Sequence, residues 1–97
     1  MTINNALGLD IGKKRIGVAR VNMIALLPTP VTTLVNDDQF INKLRELVNN
    51  YEIDTIVVGL PRSLDGKETD QSKYTRDFAV NLSIFNLPVI FQDETLS

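Results

Sequence analysis

Only four residues, Gly12, Lys13, Lys14 and Arg15, separate the apolar run Ala6–Ile11 from the apolar run Ile16–Val21. Both runs have the length and apolar content of strands, and a parallel pairing would need a crossover of a dozen or more residues. The two segments must therefore fold back on each other as an antiparallel hairpin, with a glycine opening the turn. The first strand carries a carboxylate, Asp10, beside its end. Burying that charge is costly unless it is paired or holds a metal ion. Taken alone, Asp10-Ile11-Gly12 also fits an aspartate that caps the turn behind it, and Gly17 fits a strand glycine that permits close approach.

The rest of the chain extends this start into a mixed sheet. Leu26–Leu34 reads as a third strand, and Pro28 and Pro30, which cannot donate ladder hydrogen bonds, make it irregular or place it at an edge. Asp37 and Asp38 are suitable N-caps for a helix whose apolar positions are Phe40, Ile41, Leu44, Leu47, Val48 and Tyr51, ending near Asn49-Asn50. Thr55–Leu60 is β-branched and continuously apolar, as for a strand covered on both faces. A polar loop from Pro61 to near Asp70 leads into a second helix with Tyr74, Phe78, Leu82 and Phe85 on one face, and Pro88–Gln92 is a last strand. The order β-β-β-α-β-α-β predicts an α/β fold: three antiparallel strands, then parallel strands reached by helical crossovers. With 97 residues and no repeat, linker or low-complexity stretch, residues 1–97 read as a single domain.

What the composition leaves out narrows the chemistry. The chain has no histidine, which excludes Ser-His and Cys-His nucleophilic machinery and histidine-ligated zinc. It has no cysteine, so there is no disulfide framework or thiolate site. Ser63 and Ser72 lack a histidine base and fit helix capping or solvent exposure, while Tyr74, at helical spacing from Phe78, fits the core better than a nucleophile. No apolar stretch reaches membrane-span length and the first residues are too polar for a secretory signal, so a cytoplasmic protein without membrane partners is expected. The net charge is −2, yet its distribution is uneven: of ten Lys and Arg, four lie between Lys13 and Arg20 and four between Arg62 and Arg76. That is a local positive patch on an acidic chain.

Two further stretches stand beside these clusters. In VVGLPRSLDGKETDQS a buried strand ends on Gly59-Leu60-Pro61, Asp65-Gly66 marks a turn, and a helix follows. Such a loop lies at the carboxyl edge of a parallel sheet, where ligand sites of α/β folds gather, and Arg62 and Lys67 add charge there. In FQDETLS, Asp93 and Glu94 follow the last strand and bring carboxylates to the same edge. Hard oxygen donors of this kind suit Mg2+, which takes one or two carboxylates together with substrate phosphate oxygens. Each stretch alone reads equally well as an ordinary surface loop or acidic turn.

Together, LGLDIGKKRIGVA, IVVGLPRSLDG and DETLS, in this order and spacing, resemble the YqgF/RuvX family, whose members are Holliday junction resolvases and nucleases that process precursor 16S rRNA. The resemblance runs from about Leu7 to Ser97. It implies a ribonuclease H-like fold and a hydrolase that cuts phosphodiesters with Mg2+ or Mn2+, two ions standing about 3.5–4 Å apart. Asp10 and Glu94 would then be the catalytic metal ligands and Asp93 an auxiliary catalytic carboxylate. Lys13, Lys14, Arg15, Arg62 and Lys67 would meet the nucleic-acid backbone. The substrate implied is the 5′ end of the 16S rRNA precursor, with branched DNA as the alternative. Thr95 stands where the family usually has arginine. Family members also continue into a C-terminal helical segment with another catalytic aspartate. The chain is therefore expected to be truncated, its metal site incomplete, its own activity weak or absent, and its exposed sheet surface open to self-association. Two other classes fit parts of the sequence. One is a non-catalytic nucleic-acid-binding module. The other is a fragment of an actin-like or sugar-kinase ATPase, whose phosphate turn also begins Asp-x-Gly, although 97 residues cannot build both lobes of such an enzyme.

Overall fold

In a computed structural model of the chain, residues 5–22, 24, 27–60 and 69–93 are described. Five strands form one sheet: β1 (Asn5–Ile11), β2 (Arg15–Asn22), β3 (Leu27–Val35), β4 (Thr55–Leu60) and β5 (Val89–Asp93), in the spatial order β3-β2-β1-β4-β5. The expected hairpin is present, with β1 antiparallel to β2 and Ile11 opposite Ile16. β1 also pairs in parallel with β4, and β4 with β5. The proline-bearing β3 is an edge strand, as its sequence allows. Its register against β2 slips between Val18 and Ala19, where Val31 is the extra residue of a bulge.

Helices α1 (Phe40–Asn50) and α2 (Asp70–Ala79) lie on the same face of this sheet. The connections from β1 to β4 and from β4 to β5 step in the same direction, and right-handed crossovers then put both helices on one side. Alternate residues of each strand meet them: Leu7, Leu9 and Ile11 from β1, Ile16 and Val18 from β2, and Ile56 and Val58 from β4. Phe40 and Leu44 of α1 and Ala79 of α2 complete this core, and the Phe40 and Phe78 rings meet edge-on at 5.5 Å. The other face of β4 carries Val57 and Gly59, both buried, although no helix covers that side among the described residues. The expectation of a strand covered on both faces thus holds for burial but not for helices.

Two local expectations need correction. Asp37 and Asp38 do not cap α1: Gln39 holds the cap position without a side-chain hydrogen bond. The Asp37 carboxylate instead accepts from the Gln39 amide and its carbonyl accepts from the Phe40 amide, so it closes a turn just ahead of the helix. The second helix is also not α-helical throughout. It turns at Val80 into a 3-10 helix, Val80–Phe85, which stops at Asn86 in the left-handed conformation with φ 55°. Valine, asparagine, serine and isoleucine are poor α-helix residues, and the tighter winding buries Leu82 while leaving Val80 and Ile84 exposed.

The start of α2 is well secured. The Thr69 hydroxyl accepts from the Ser72 amide, the Ser72 hydroxyl accepts from the Thr69 amide, and Ser72 is fully buried. Capping was one of the two roles open to Ser72, and it is the one observed.

Because Leu44 is fully buried between α1 and the sheet, Leu44→Ala should destabilise the fold by about 2–5 kcal/mol. Urea denaturation with an unchanged m value would show it, and a loss well under 1 kcal/mol would contradict this packing.

Candidate functional site

The parallel strands β1, β4 and β5 end at one edge of the sheet, at Ile11, Leu60 and Asp93. The first turn of α2 reaches the same edge, where the Gln71 side-chain amide donates to the Ile11 carbonyl at 2.8 Å. This is the carboxyl edge at which ligands of open α/β sheets bind.

Asp10 sits one residue before the end of β1 and directly opposite Gly17 of β2. It points away from the helices, since Leu9 and Ile11 on either side face the core. It is exposed, not buried. The sequence makes Asp10 costly on a central strand only if both faces are covered, and the open face removes that cost. Asp10 lies at a depression of about 370 Å³ in which Gly8, Gly17 and Gly59 flank it, while Val21, Pro28, Pro30, Thr32 and Thr33 of β2 and β3 wall the rest. A Cβ at Gly17 would lie 3.6 Å from that of Asp10, an ordinary contact, so this glycine leaves room beside the carboxylate and is not demanded by a clash.

The turn that follows is tightly determined. The Gly12 amide donates to the Arg15 carbonyl at 2.9 Å, and a Cβ on Gly12 would stand 2.5 Å from that same backbone oxygen. Lys13, Lys14 and Arg15 are all exposed. Arg15 is the first residue of β2, paired with Val35, and not part of the turn as its place in the sequence suggested. Alternation along β2 puts it on the face of Gly17, which is also the face of Asp10. Lys13 extends the other way, its ammonium 5.7 Å from the centre of the Tyr74 ring.

Asn36 and Gln71 carry no recognisable sequence signal, yet both hold this turn. The Asn36 side-chain amide donates at 2.9 Å to the Gly12 carbonyl and at 2.9 Å to the Tyr74 hydroxyl, and its backbone N–H donates to the Lys14 carbonyl. Tyr74, half-buried and in contact with Phe78, belongs to the core as its spacing predicts, and its hydroxyl joins the turn besides. Arg62 and Lys67, in segment 61–68, and Glu94, in 94–97, lie outside the described residues. The backbone of Asp93 closes β5 opposite Leu60, and its side chain lies outside the description. The carboxyl edge therefore collects Asp10, the Lys13–Lys14 turn, Arg15 and the backbone of Asp93.

Among the described residues no three His, Cys, Asp or Glu side chains converge to hold a metal ion. Asp10, an exposed hard-oxygen donor, suits an open Mg2+ or Mn2+ site shared with phosphate oxygens. No helix among the described residues is long and apolar enough to cross a membrane.

A sheet ordered β3-β2-β1-β4-β5, with β2 antiparallel to β1 and a carboxylate near the end of the central strand, defines a ribonuclease H-like fold. The structure superposes on Thermus thermophilus RuvC, solved with a Holliday junction substrate, with a TM-score of 0.61 at 11% identity, covering 94% of this chain and 65% of that one. Archaeoglobus fulgidus Pelota gives a TM-score of 0.53 at 10% identity over 99% of this chain and 29% of Pelota, a likeness of fold alone. The sequence carries the matter further. Residues 4–97 match the RuvX family model, described as Holliday junction resolvase, and the chain belongs to that family. A relative from Sulfurihydrogenibium sp. is 41% identical over 95 residues, covering 95% of this chain, and one from Crocosphaera subtropica is 42% identical over 96 residues, covering 96%. Both are described as candidate pre-16S rRNA nucleases. The chain spans 66% of the first relative's length and 67% of the second's. The family read from the three motifs is thus confirmed.

Gly12→Ala should open the hairpin turn, because the clashing atom is a backbone carbonyl that the ladder holds in place. Amide hydrogen exchange in Gly12–Arg15 should rise relative to the strand interiors, and unchanged protection would show that the turn tolerates a side chain.

Proposed function

We propose that this chain carries the core of a metal-dependent nuclease that hydrolyses phosphodiesters in structured nucleic acid, with the 5′ end of the 16S rRNA precursor as its substrate and the cytoplasm as its setting. The observation that carries the reading is Asp10, an exposed carboxylate flanked by Gly8, Gly17 and Gly59 at the carboxyl edge of the sheet, beside a turn that presents Lys13 and Lys14. The names of the Sulfurihydrogenibium and Crocosphaera relatives support the RNA substrate.

In this reading Asp10 and Glu94 hold the divalent ion, with Asp93 as an auxiliary carboxylate. The ion, Mg2+ or Mn2+, supplies an activated water and charge stabilisation at phosphorus. The chain's own residues do the rest. The open depression would admit a phosphodiester to the Asp10 face, where Gly17 and Gly59 place no side chain directly beside the carboxylate. Arg15 on the Asp10 face and Lys13 and Lys14 in the turn beside it would supply positive charge for the flanking phosphates, a role the family resemblance extends to Arg62 and Lys67. A second reading, resolution of branched DNA, is favoured by the description of the family model and by the junction-bound RuvC of the same fold.

The test is cleavage, with Mg2+ or Mn2+ and by this chain extended to the full length of its relatives, of an RNA spanning the precursor boundary of 16S rRNA and of a four-way DNA junction. RNA cleavage is expected, abolished by EDTA and reduced at least about 100-fold by Asp10→Asn, the scale of losing a group that meets transition-state charge. The thermal midpoint of that variant should stay near the wild type, because Asp10 is exposed. Full-rate cleavage by Asp10→Asn would overturn the assignment. Cleavage of the junction alone would transfer it to the second reading.

A further inference from the structure

We infer that Asn36, Gln71 and Tyr74 form a clamp that positions the Lys13–Lys14 turn for phosphate contact, so that residues outside the cation cluster set nucleic-acid affinity through Lys13. The inference rests on the nucleic-acid reading above and names how the same site is held ready.

The turn is exposed, and backbone carbonyls in exposed turns are ordinarily satisfied by water. Here two turn carbonyls, and that of Ile11 at the end of β1 just before it, have protein donors from distant parts of the chain. The Ile11 carbonyl accepts from Gln71 at 2.8 Å, 60 residues away, and the Gly12 carbonyl accepts from the Asn36 side chain at 2.9 Å, 24 residues away. The Lys14 carbonyl accepts from the Asn36 backbone N–H at 2.9 Å. Asn36 has two side-chain N–H bonds to give, and the second goes to the Tyr74 hydroxyl. Gln71 and Tyr74 are three residues apart on α2 and therefore share a face, so one helix contributes to both halves of the clamp.

The Tyr74 ring then acts on the cation itself. A lysine is among the side chains that lose most rotamer freedom when fixed, and that loss weakens any contact it makes. With its ammonium 5.7 Å from the Tyr74 ring centre, on the helix side of the edge, Lys13 is already restrained for a phosphate that flanks the one at Asp10. Restraint of this kind raises affinity without adding a contact to the ligand. Asn36, Gln71 and Tyr74 are accordingly positioning residues and not phosphate ligands.

The experiment measures binding of a fluorescein-labelled RNA stem-loop to the full chain in EDTA by fluorescence anisotropy across a salt series. The proteins are wild type, Lys13→Ala, Asn36→Ala, Tyr74→Phe and the double variant Lys13→Ala/Asn36→Ala, each with its thermal midpoint. Lys13→Ala should weaken binding about fivefold and lower the salt slope by about 1, as for one lost phosphate contact. Asn36→Ala should weaken it about threefold, and the double variant should be no weaker than Lys13→Ala, because the clamp works through that lysine. A generally loosened fold would give additive losses instead, and would overturn the inference. Tyr74→Phe keeps the ring and removes only the hydroxyl, so it should show a smaller loss at an unchanged midpoint, and it carries the test if Asn36→Ala does not fold. Wild-type affinity in both clamp variants, with Lys13→Ala weakened, would overturn the clamp alone. Wild-type affinity in Lys13→Ala would overturn the inference, and no RNA binding by the wild type would overturn the nucleic-acid reading and the inference with it.

Discussion

The pairing of β1 on both of its edges organises the rest of the structure. Its antiparallel ladder to β2 comes from a linker too short for anything but a hairpin, and its parallel ladder to β4 needs the long excursion through β3 and α1. The two ladders fix where Asp10 can be. A residue next to the end of a central strand, flanked by Leu9 and Ile11 that must face the helices, has only the opposite face available. The position of the carboxylate is thus a consequence of the core, and its neighbours Gly17 and Gly59 follow from register.

Much of this was legible in the residues, for reasons that differ by element. The hairpin is dictated by linker length, α1 by the period of Phe40, Leu44 and Leu47, and the irregular or edge character of β3 by two prolines. What escaped was local competition between similar energies. Asp37 can serve equally well as a helix cap or as the acceptor of a tight turn, and only the path from β3 into α1 decides. Leu82 and Phe85 keep helical spacing whether the backbone winds as an α-helix or a 3-10 helix, so periodicity could not separate the two. The exposure of Asp10 depended on both helices falling on one face, a property of crossover handedness that no single stretch encodes.

The candidate site divides in the same way. Asp10, Lys13 and Lys14 were found through motif and charge, and the fold places them at one edge. Asn36 and Gln71 were not found, because an asparagine after a strand and a glutamine in a helix's first turn look like solvent-facing residues in any sequence. Their roles exist only through contacts 24 and 60 residues away. Chemistry is carried by residue types that announce themselves, whereas the groups that hold those residues in place are ordinary polar side chains.

The two rims of the sheet differ in a way that gives it a direction of growth. β3 has no backbone donor at Pro28 or Pro30 and is bulged at Val31, so it is a poor template for another strand. β5 has no proline from Val89 to Asp93, and Ile90 and Phe91 are exposed along it. Among the described residues, then, one rim is sealed and the other is still competent to zip. Any lengthening of this sheet would proceed outward from β5, away from the hairpin, and would leave the Lys13–Lys14 turn where β1 and β2 have put it.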